Sequence, residues 1–301
     1  MMNLKQMEYF VRVAELGSFS KAAMVLDIAQ PALSRQVRLL EADLRVILLS
    51  RNGRGVALTE AGRKLFDHAV DILQSVERAT EDMENSRDEP AGRIVIGLPP
   101  SVGRRLAVPL ARIFRDTLPK ARPVIVEGLS SHVTEWIAGG RVDVGLIHNP
   151  DPNPAIEVSP LAEEPLGLVA LTLDAATVLR WAELAGLPLI LPERSHSMRR
   201  LLETQAAFAG IRLKVAMEVT SIPSILDLVG AGFGHAVLTR TALRAWGREG
   251  EFTFRPLIEP AVNSTLFLAF PAKKPITPLG RRAMALLGDL VRTEMHNAHC
   301  L

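Results

Sequence analysis

The sequence is poor in cysteine and in long apolar runs, and both shortages narrow the classes of protein it can be. Its single cysteine, Cys300, excludes a disulfide within the chain and favours a reducing cytoplasm. No uncharged apolar run reaches the length of about 18 residues that predicts a transmembrane helix. The opening residues MMNLKQMEYF lack the apolar core of a secretory signal. We therefore expect a cytoplasmic protein without a membrane partner.

Proline is scarce in the first ninety residues, where only Pro31 and Pro90 occur among the chain's 20 prolines. Because proline disrupts helix interiors, this part can be nearly all helical, whereas the rest cannot. The net charge of +2 hides a further division. Residues 1–64 carry 10 basic and 6 acidic side chains, residues 65–90 carry 2 and 8, and residues 91–301 carry 23 and 19. A basic head, an acidic connector and a mildly basic body are predicted, with a hinge at 84–93.

The basic head has the pattern of short helices joined by tight turns. Asn3 and Ser18 are suited to cap two helices, and Gly17 is suited to end the first of them. Pro31 fits the first turn of a third helix, where a missing N–H costs nothing. Two such helices joined by a tight turn are typical of a helix-turn-helix.

The third helix of the head places Gln30, Ser34 and Arg38 on one face, with Arg35 beside them. Such a face fits the DNA major groove, although it is equally the solvated face of an ordinary helical hairpin. The following Asn52-Gly53 pair predicts a tight hairpin between basic residues, which would lie against DNA as a wing.

These segments resemble one family. "GSFSKAAMVLDIAQPALSRQVRLLEADL" followed by "LLSRNGRGVALTEAGRKL" is similar to the winged helix-turn-helix of LysR-type transcriptional regulators. The resemblance places the recognition helix at 30–40 and the wing at 48–58. Arg45 stands where the family usually has glycine, which puts the shape of that turn in question. The implied DNA-binding residues are Ser18, Ser20, Gln30, Pro31, Ser34, Arg35, Gln36, Arg38, Arg51 and Arg54.

The acidic connector predicts one long helix, capped by Thr59, that runs to about residue 87. Its apolar positions alternate by four and three residues, which is a heptad seam typical of helix pairing. These positions are Leu65, Ala69, Ile72, Val76, Ala79 and Met83. A helix packed on its own domain is the alternative. In the resembled family this helix forms a dimer, and the family further implies a tetramer and contact with RNA polymerase.

The body alternates strand and helix patterns and therefore predicts an α/β fold with a largely parallel sheet. The segment "EGLSSHVTEWIAGGRVDVGLIHNP" resembles the two-lobed effector domain of the same family, which is akin to periplasmic binding proteins. "GLPPSVGRRLAVPLARIF" looks closest to nitrogen-assimilation and aromatic-catabolism regulators. The expected domains are 1–58, 59–90 and 91–301. Within the last, lobe I covers about 91–162 and 268–301, and lobe II about 163–267. The fold class is thus α+β overall.

Small-molecule ligands of such sheets meet the carboxyl ends of the strands. The candidates there are Ser101, Val102, Gly128, Leu129, Ser130, His148, Ser195, His196, Thr220 and Ser221. Several begin helices, where free N–H groups and the helix dipole favour an anion. A small effector that carries a carboxylate is expected, although each serine or threonine taken alone can be a plain helix cap.

The sequence predicts a ligand-responsive regulator that binds double-stranded promoter DNA, with no catalysis, no metal site and no cofactor. The alternative is a small-molecule-binding or enzymatic α/β protein with a helical oligomerisation head.

Overall fold

A computed structural model describes residues 2–52, 55–84, 90–171 and 178–299. The chain forms two compact units, residues 1–86 and 87–301. The first is helical with a small hairpin and the second is α/β, so the α+β fold class is confirmed. Residues 85–89 of the expected hinge lie outside the described residues.

The N-terminal unit begins with three short helices. In its described part the elements are α1 (Leu4–Leu16), α2 (Phe19–Val25), α3 (Gln30–Leu44), β1 (Leu49–Asn52), β2 (Gly55–Leu58) and α4 (Glu60–Glu84). Asn3 accepts a hydrogen bond from the Gln6 N–H at 2.9 Å, and Gly17 ends α1 with φ 60°. Ser18 accepts from the Lys21 N–H at 3.4 Å. These three predicted helix boundaries are confirmed.

One apolar cluster holds the N-terminal unit together. Phe10, Val13, Leu33 and Leu40 are fully buried at its centre, and Ala69 joins them from α4. The apolar stripes of α1 and α3 therefore face each other, as their helical spacing predicts. The hairpin pairs residues 49–52 with residues 58–55, and residues 53 and 54 between the strands lie outside the described residues.

Two polar side chains fix where the hairpin leaves α3 and enters α4. The Glu41 carboxylate accepts from the N–H groups of Leu48 and Leu49 at 2.8 and 3.1 Å. Thr59 accepts from the Gly62 N–H at 3.0 Å, so it caps α4 as expected. A Cβ on Gly62 would lie 2.1 Å from the Leu48 carbonyl oxygen, so only glycine fits there.

Arg45 adopts the left-handed conformation that the family's glycine would supply, with φ 55° and ψ 34°. Its N–H donates to the Ala42 carbonyl, and the Val46 N–H donates to the Glu41 carbonyl at 3.1 Å. This is the hydrogen-bond pattern of a Schellman motif. The turn therefore has the Schellman geometry without a glycine. The left-handed backbone conformation is sterically unfavourable for Arg45, because this residue has a Cβ.

The C-terminal unit alternates strands and helices in two lobes. Its strands are β3 (Gly92–Leu98), β4 (Ala121–Glu127), β5 (Val144–His148), β6 (Ile156–Ala170), β7 (Leu179–Arg180), β8 (Leu189–Leu191), β9 (Val215–Glu218), β10 (Ala236–Thr239), β11 (Thr253–Ile258) and β12 (Asn263–Pro271). Its α-helices are α5 (Pro100–Thr117), α6 (Ser130–Gly139), α7 (Trp181–Leu184), α8 (Ser197–Phe208), α9 (Ile222–Gly230), α10 (Arg240–Ala245) and α11 (Pro278–His299).

The main sheet runs β4-β3-β5-β12-β6-β11-β7, with β10 also paired to β6. Strands β3, β4 and β5 are parallel, as predicted, whereas β12 is antiparallel to both β5 and β6. In lobe II, β10 and β11 pair antiparallel with β6, so that half of the sheet is mixed rather than parallel. The sequence pattern does not predict β6, β7 and β11. Strand β6 carries two prolines and three glutamates, which are uncommon in strands, so its sequence does not predict a strand.

Each lobe has its own apolar core. In lobe I, α5 and α11 pack on one face of the sheet, with Phe114 and Leu287 among the buried residues. Helix α6 packs on the other face. Lobe II packs α8, α9 and α10 around β6, β8 and β10. Strands β6 and β12 pair over nine positions and serve both lobes. The carboxyl ends of β3, β5 and β10 consequently open onto one cleft.

Candidate functional sites

The outer face of α3 presents part of the predicted DNA-binding set. Gln30, Pro31, Arg35 and Arg38 are exposed on this helix. The Arg38 Nε donates to the Ser34 carbonyl at 3.3 Å, which holds the guanidinium along the helix surface. Guanidinium and amide groups on an exposed helix are suited to hydrogen-bond base edges and phosphates.

Two of the predicted DNA-binding residues of α3 are not exposed. The Ser34 side chain is only 5% exposed and lies on the floor of a surface depression of about 600 Å³ that Phe19 and Leu49 also line. Gln36 is half-buried on the side that faces α1, where its Oε1 accepts from the Gln6 Nε2 at 3.4 Å. Tertiary packing beside Phe19, Leu49 and α1 therefore removes these two side chains from the exposed surface, whereas Gln30 and Arg38 remain on it.

The remaining DNA-binding candidates lie before α3 and in the hairpin. Ser18 caps α2 and is half-buried, whereas Ser20 is exposed on the first turn of α2. Arg51 belongs to β1, but its side chain lies outside the described residues, as does the whole of Arg54.

The heptad seam of α4 is divided between two environments. Ala69 is fully buried in the core of the N-terminal unit and Leu65 packs against the same core. Further along, Ile72 and Val76 are 38% and 41% exposed, and Ala79 is exposed as well. The Met83 side chain lies outside the described residues. The first part of the seam thus packs on its own unit, as in the alternative to helix pairing. The described part of the seam beyond it is exposed.

The cleft of the C-terminal unit is a cavity of about 290 Å³ that brings together seven of the ten predicted effector-binding residues. These are Ser101, Leu129, Ser130, His148, His196, Thr220 and Ser221. They come from both lobes, and all of them follow the carboxyl ends of strands or begin helices, as the sequence pattern predicts.

Three predicted effector-binding residues lie outside this lining. Val102, in the first turn of α5, is buried in the lobe I core. Gly128 packs on Trp136, where a Cβ would come within 2.5 Å of the indole ring. The Ser195 hydroxyl is exposed and donates to the Glu193 carboxylate at 2.7 Å. Proximity in sequence to a strand end therefore does not ensure that a side chain reaches the cavity.

Several lining residues were not predicted. They include Ser197, Met198, Thr239, Ala242, Trp246 and Ser264. Thr239 ends β10, so the strand-end rule that selected the others would also have selected it. Ser264 lies near the start of the antiparallel strand β12, and no local signal in the sequence marks it.

Two histidines line the cavity from opposite lobes. His148 ends β5, where the Ser130 hydroxyl accepts from its backbone N–H at 3.0 Å. His196 caps α8, because its Nδ1 accepts from the Met198 N–H at 3.3 Å. Burial lowers the pKa of His148 to about 4, and the nearby His196 adds to that effect. Burial also lowers the pKa of His196 to about 4, and Arg200 adds to it, whereas Glu193 acts in the opposite sense.

Contacts between the lobes flank the cavity. On one side, the Arg200 guanidinium of α8 lies 2.9 Å from the Asp151 carboxylate of lobe I. On the other side, the Arg104 Nε of α5 donates to the Ala245 carbonyl at 2.8 Å, and its guanidinium stacks 4.7 Å from the Trp246 ring centre. The lobes are thus joined next to the cavity as well as through β6 and β12.

Five helices begin at the cavity, and three of them have no side-chain cap. These three are α5, α6 and α9, whereas His196 caps α8 and Thr239 caps α10. Uncapped first turns leave backbone N–H groups available to a ligand. No Asp, Glu, Lys or Arg occurs among the described lining residues. The cavity therefore offers neutral hydrogen-bond donors and helix dipoles rather than fixed charges.

The described residues hold no cluster of His, Cys, Asp and Glu that could bind a metal ion. In the same part of the chain, every helix is too short or too polar to cross a membrane.

Comparisons with known proteins agree with this architecture. Residues 4–63 match the family "Bacterial regulatory helix-turn-helix protein, lysR family", and residues 87–292 match the "LysR substrate binding domain". The chain is 29% identical over 291 residues to the nitrogen assimilation regulatory protein nac of Klebsiella aerogenes, across 96% of this chain and 95% of that protein. It is also 29% identical over 298 residues to the DNA-binding transcriptional dual regulator OxyR of Escherichia coli, across 98% and 96%.

Solved structures share the fold. Full-length CbnR complexed with its target DNA superimposes with a TM-score of 0.73 at 24% identity, over 96% of this chain and 100% of that chain. The resemblance to the nitrogen-assimilation subgroup also agrees with the similarity to nac. With the helix-turn-helix, the two-lobed domain and these matches together, the chain belongs to the LysR family of ligand-responsive, DNA-binding transcriptional regulators.

Proposed function

We propose that this regulator binds promoter DNA through the exposed face of α3 and the hairpin, with residues 1–58 as the DNA-binding part. The observation that carries the proposal is the pair of exposed guanidinium groups, Arg35 and Arg38, on the outer face of α3. Gln30 and Pro31 extend the same surface, and Ser20, Arg51 and Arg54 are the further candidates around it. Ser18, Ser34 and Gln36 support the surface from less exposed positions.

The test is a footprint and a salt-dependent gel shift on the DNA beside the gene of this protein. Arg35→Ala should weaken specific binding by about 1–3 kcal/mol if Arg35 hydrogen-bonds a base edge. Arg12→Ala is the matched control, because Arg12 lies on α1 in an exposed ion pair with Glu15. A loss that is equal on all DNA sequences would assign Arg35 to a phosphate. Absence of sequence-selective binding would refute the proposal.

We further propose that residues 91–301 bind a small effector with a carboxylate in the cleft between the lobes. The uncapped starts of α5, α6 and α9 at the cavity support an anion, because free N–H groups and the helix dipole stabilise negative charge. The hydroxyls of Ser101, Ser130 and Thr220 add further donors to it. No resident cofactor forms part of this proposal.

Calorimetric titration with benzoate and its neutral analogue benzamide tests the preference for an anion. Benzoate is expected to bind more tightly, and Thr220→Val should weaken its binding. Ser195→Ala is the matched control, because Ser195 lies outside the cavity lining. Tighter binding of benzamide would refute the carboxylate.

We also propose that residues 59–90 form a dimer through the exposed part of the seam around Ile72 and Val76. Two dimers would then form the tetramer. An effector that has different affinities for the open and closed forms of the cleft would shift the equilibrium between them. This shift would change the spacing of the DNA-binding heads and thereby the contact with RNA polymerase. A protein that acts in this way works on DNA in the cytoplasm.

Regulation without catalysis is the function we propose for the cleft. Its described lining contains hydroxyls and neutral imidazoles but no carboxylate, thiol or amine that would serve as an additional acid, base or nucleophile. A disulfide switch within the chain is excluded, because Cys300 is the single cysteine.

A further inference from the structure

His148 and His196 place two unsatisfied ring nitrogens at the cavity. The Nδ1 of His196 accepts a backbone hydrogen bond, so the neutral ring carries its proton on Nε2. The Nδ1 of His148 lies 3.4 Å from the Ser264 hydroxyl. Neither Nε2 has a hydrogen-bond partner in the described part of the chain. Both rings therefore have one nitrogen available for a ligand.

The charged side chains near His148 and His196 form their hydrogen bonds and ion pairs with other groups, not with the two rings. Arg200 lies one turn along α8 from His196 and pairs with Asp151 and with the Ser195 carbonyl. Glu193 precedes α8 and accepts from the Ser195 hydroxyl. No charged side chain enters the described lining itself. An anion buried here would have dipoles around it but no fixed cation, which is costly in a partly desolvated site.

We propose that an anion bound in the cleft draws one proton from solvent onto the His148–His196 pair, so that the affinity for the effector rises as the pH falls. The inference rests on the proposed anionic effector and adds its regulation by pH. The proton comes from water, and no bond of the effector breaks. His148 can take it without losing a backbone hydrogen bond, because the Ser264 hydroxyl beside its Nδ1 can also accept, whereas a second proton on His196 would displace the Met198 N–H from Nδ1. A single proton is expected, because two imidazolium groups in one small cavity would repel each other.

The direction of the pH dependence follows from the two states of the cleft. Without ligand, the pKa values of both histidines lie near 4, so both rings are neutral at pH 7. An adjacent anion favours the charged ring and raises its pKa. The complex then binds more protons than the free protein in the interval between the two pKa values. Affinity must therefore increase as the pH falls through that interval, by at most about tenfold per pH unit for one proton.

The experiment is calorimetry of benzoate binding to the full chain between about pH 6 and pH 8, where a carboxylate stays ionised. Titrations in buffers of different ionisation enthalpy count the protons taken up. We expect an uptake approaching one proton at the acidic end, with binding several-fold tighter there than at the alkaline end. His148→Gln and His196→Gln keep a side-chain N–H donor but cannot be protonated, so at least one of them should abolish the uptake and flatten the pH dependence.

His132→Gln is the control, because His132 is exposed on α6 and lies outside the cavity lining. It should leave both the proton count and the pH dependence unchanged. Benzoate binding that is independent of pH and releases or takes up no proton would overturn the inference and leave the anionic effector in place. So would unchanged proton uptake in both histidine variants. Absence of benzoate binding at every pH would overturn both proposals. If a variant fails to fold, the proton count of the parent protein decides alone.

Discussion

Replacing Arg45 by glycine should stabilise the N-terminal unit. Arg45 holds φ 55° and ψ 34° at the end of α3, a conformation that costs a residue with a Cβ about 1–2 kcal/mol. Glycine avoids this cost but loses about 0.5–1 kcal/mol through the greater freedom of its unfolded chain. Both hydrogen bonds of the turn come from backbone N–H groups, so they persist in the variant. The net gain should be about 0.5–1 kcal/mol.

Differential scanning calorimetry of the full chain, with hydrogen exchange of α3 to identify the transition, measures this gain. For a unit of this size it corresponds to a rise in melting temperature of about 2–8 °C. Arg45→Ala is the control, because alanine removes the charge and keeps the Cβ. Gly17→Ala is the reciprocal change at the end of α1, where φ is 60°, and it should destabilise. Equal stability of Arg45→Gly and Arg45→Ala would refute the reasoning.

Three further predictions concern other parts of the chain. Gly62→Ala should destabilise the N-terminal unit by about 2–3 kcal/mol, because its Cβ would strike the Leu48 carbonyl, whereas Gly139→Ala meets no atom within 4 Å and serves as control in urea denaturation. Val76→Asp should shift the sedimentation coefficient from dimer towards monomer, and an unchanged coefficient would exclude the exposed seam from the dimer contact. The free energy of unfolding should fall as the pH drops from about 6.5 to 4, because the cleft histidines stay neutral in the folded state while they gain protons on unfolding. A flat profile in urea titrations across this range would contradict the lowered pKa values.

Caps and local turns were predictable from the sequence because their physics is local. Asn3, Ser18 and Thr59 cap the expected helices, and Gly17 ends α1. Strand β6 was not predictable in the same way. Its prolines and glutamates are tolerated because tertiary pairing with β12 stabilises the strand, and this information is absent from its own residues.

The candidate cleft was predictable in part, through the rule that ligands meet the ends of parallel strands. That rule finds His148 at the end of β5 and Thr220 after β9. It fails for Ser264, whose place at the cavity depends on the antiparallel register of β12 against β6. It also selects Val102, which the helix geometry of α5 turns into the core of lobe I.

The pairing of β5 with β12 also sets an order for folding during synthesis. Lobe I holds β3, β4 and β5, but the next strand of its sheet is β12, which begins at Asn263. Helix α11, which covers one face of that sheet, emerges later still. Lobe II is made of one continuous stretch of chain, and its buried core is complete at Val262, just before β12 begins. Lobe I therefore starts first on the ribosome and finishes last, because closing a loop of more than a hundred residues must precede its final contacts.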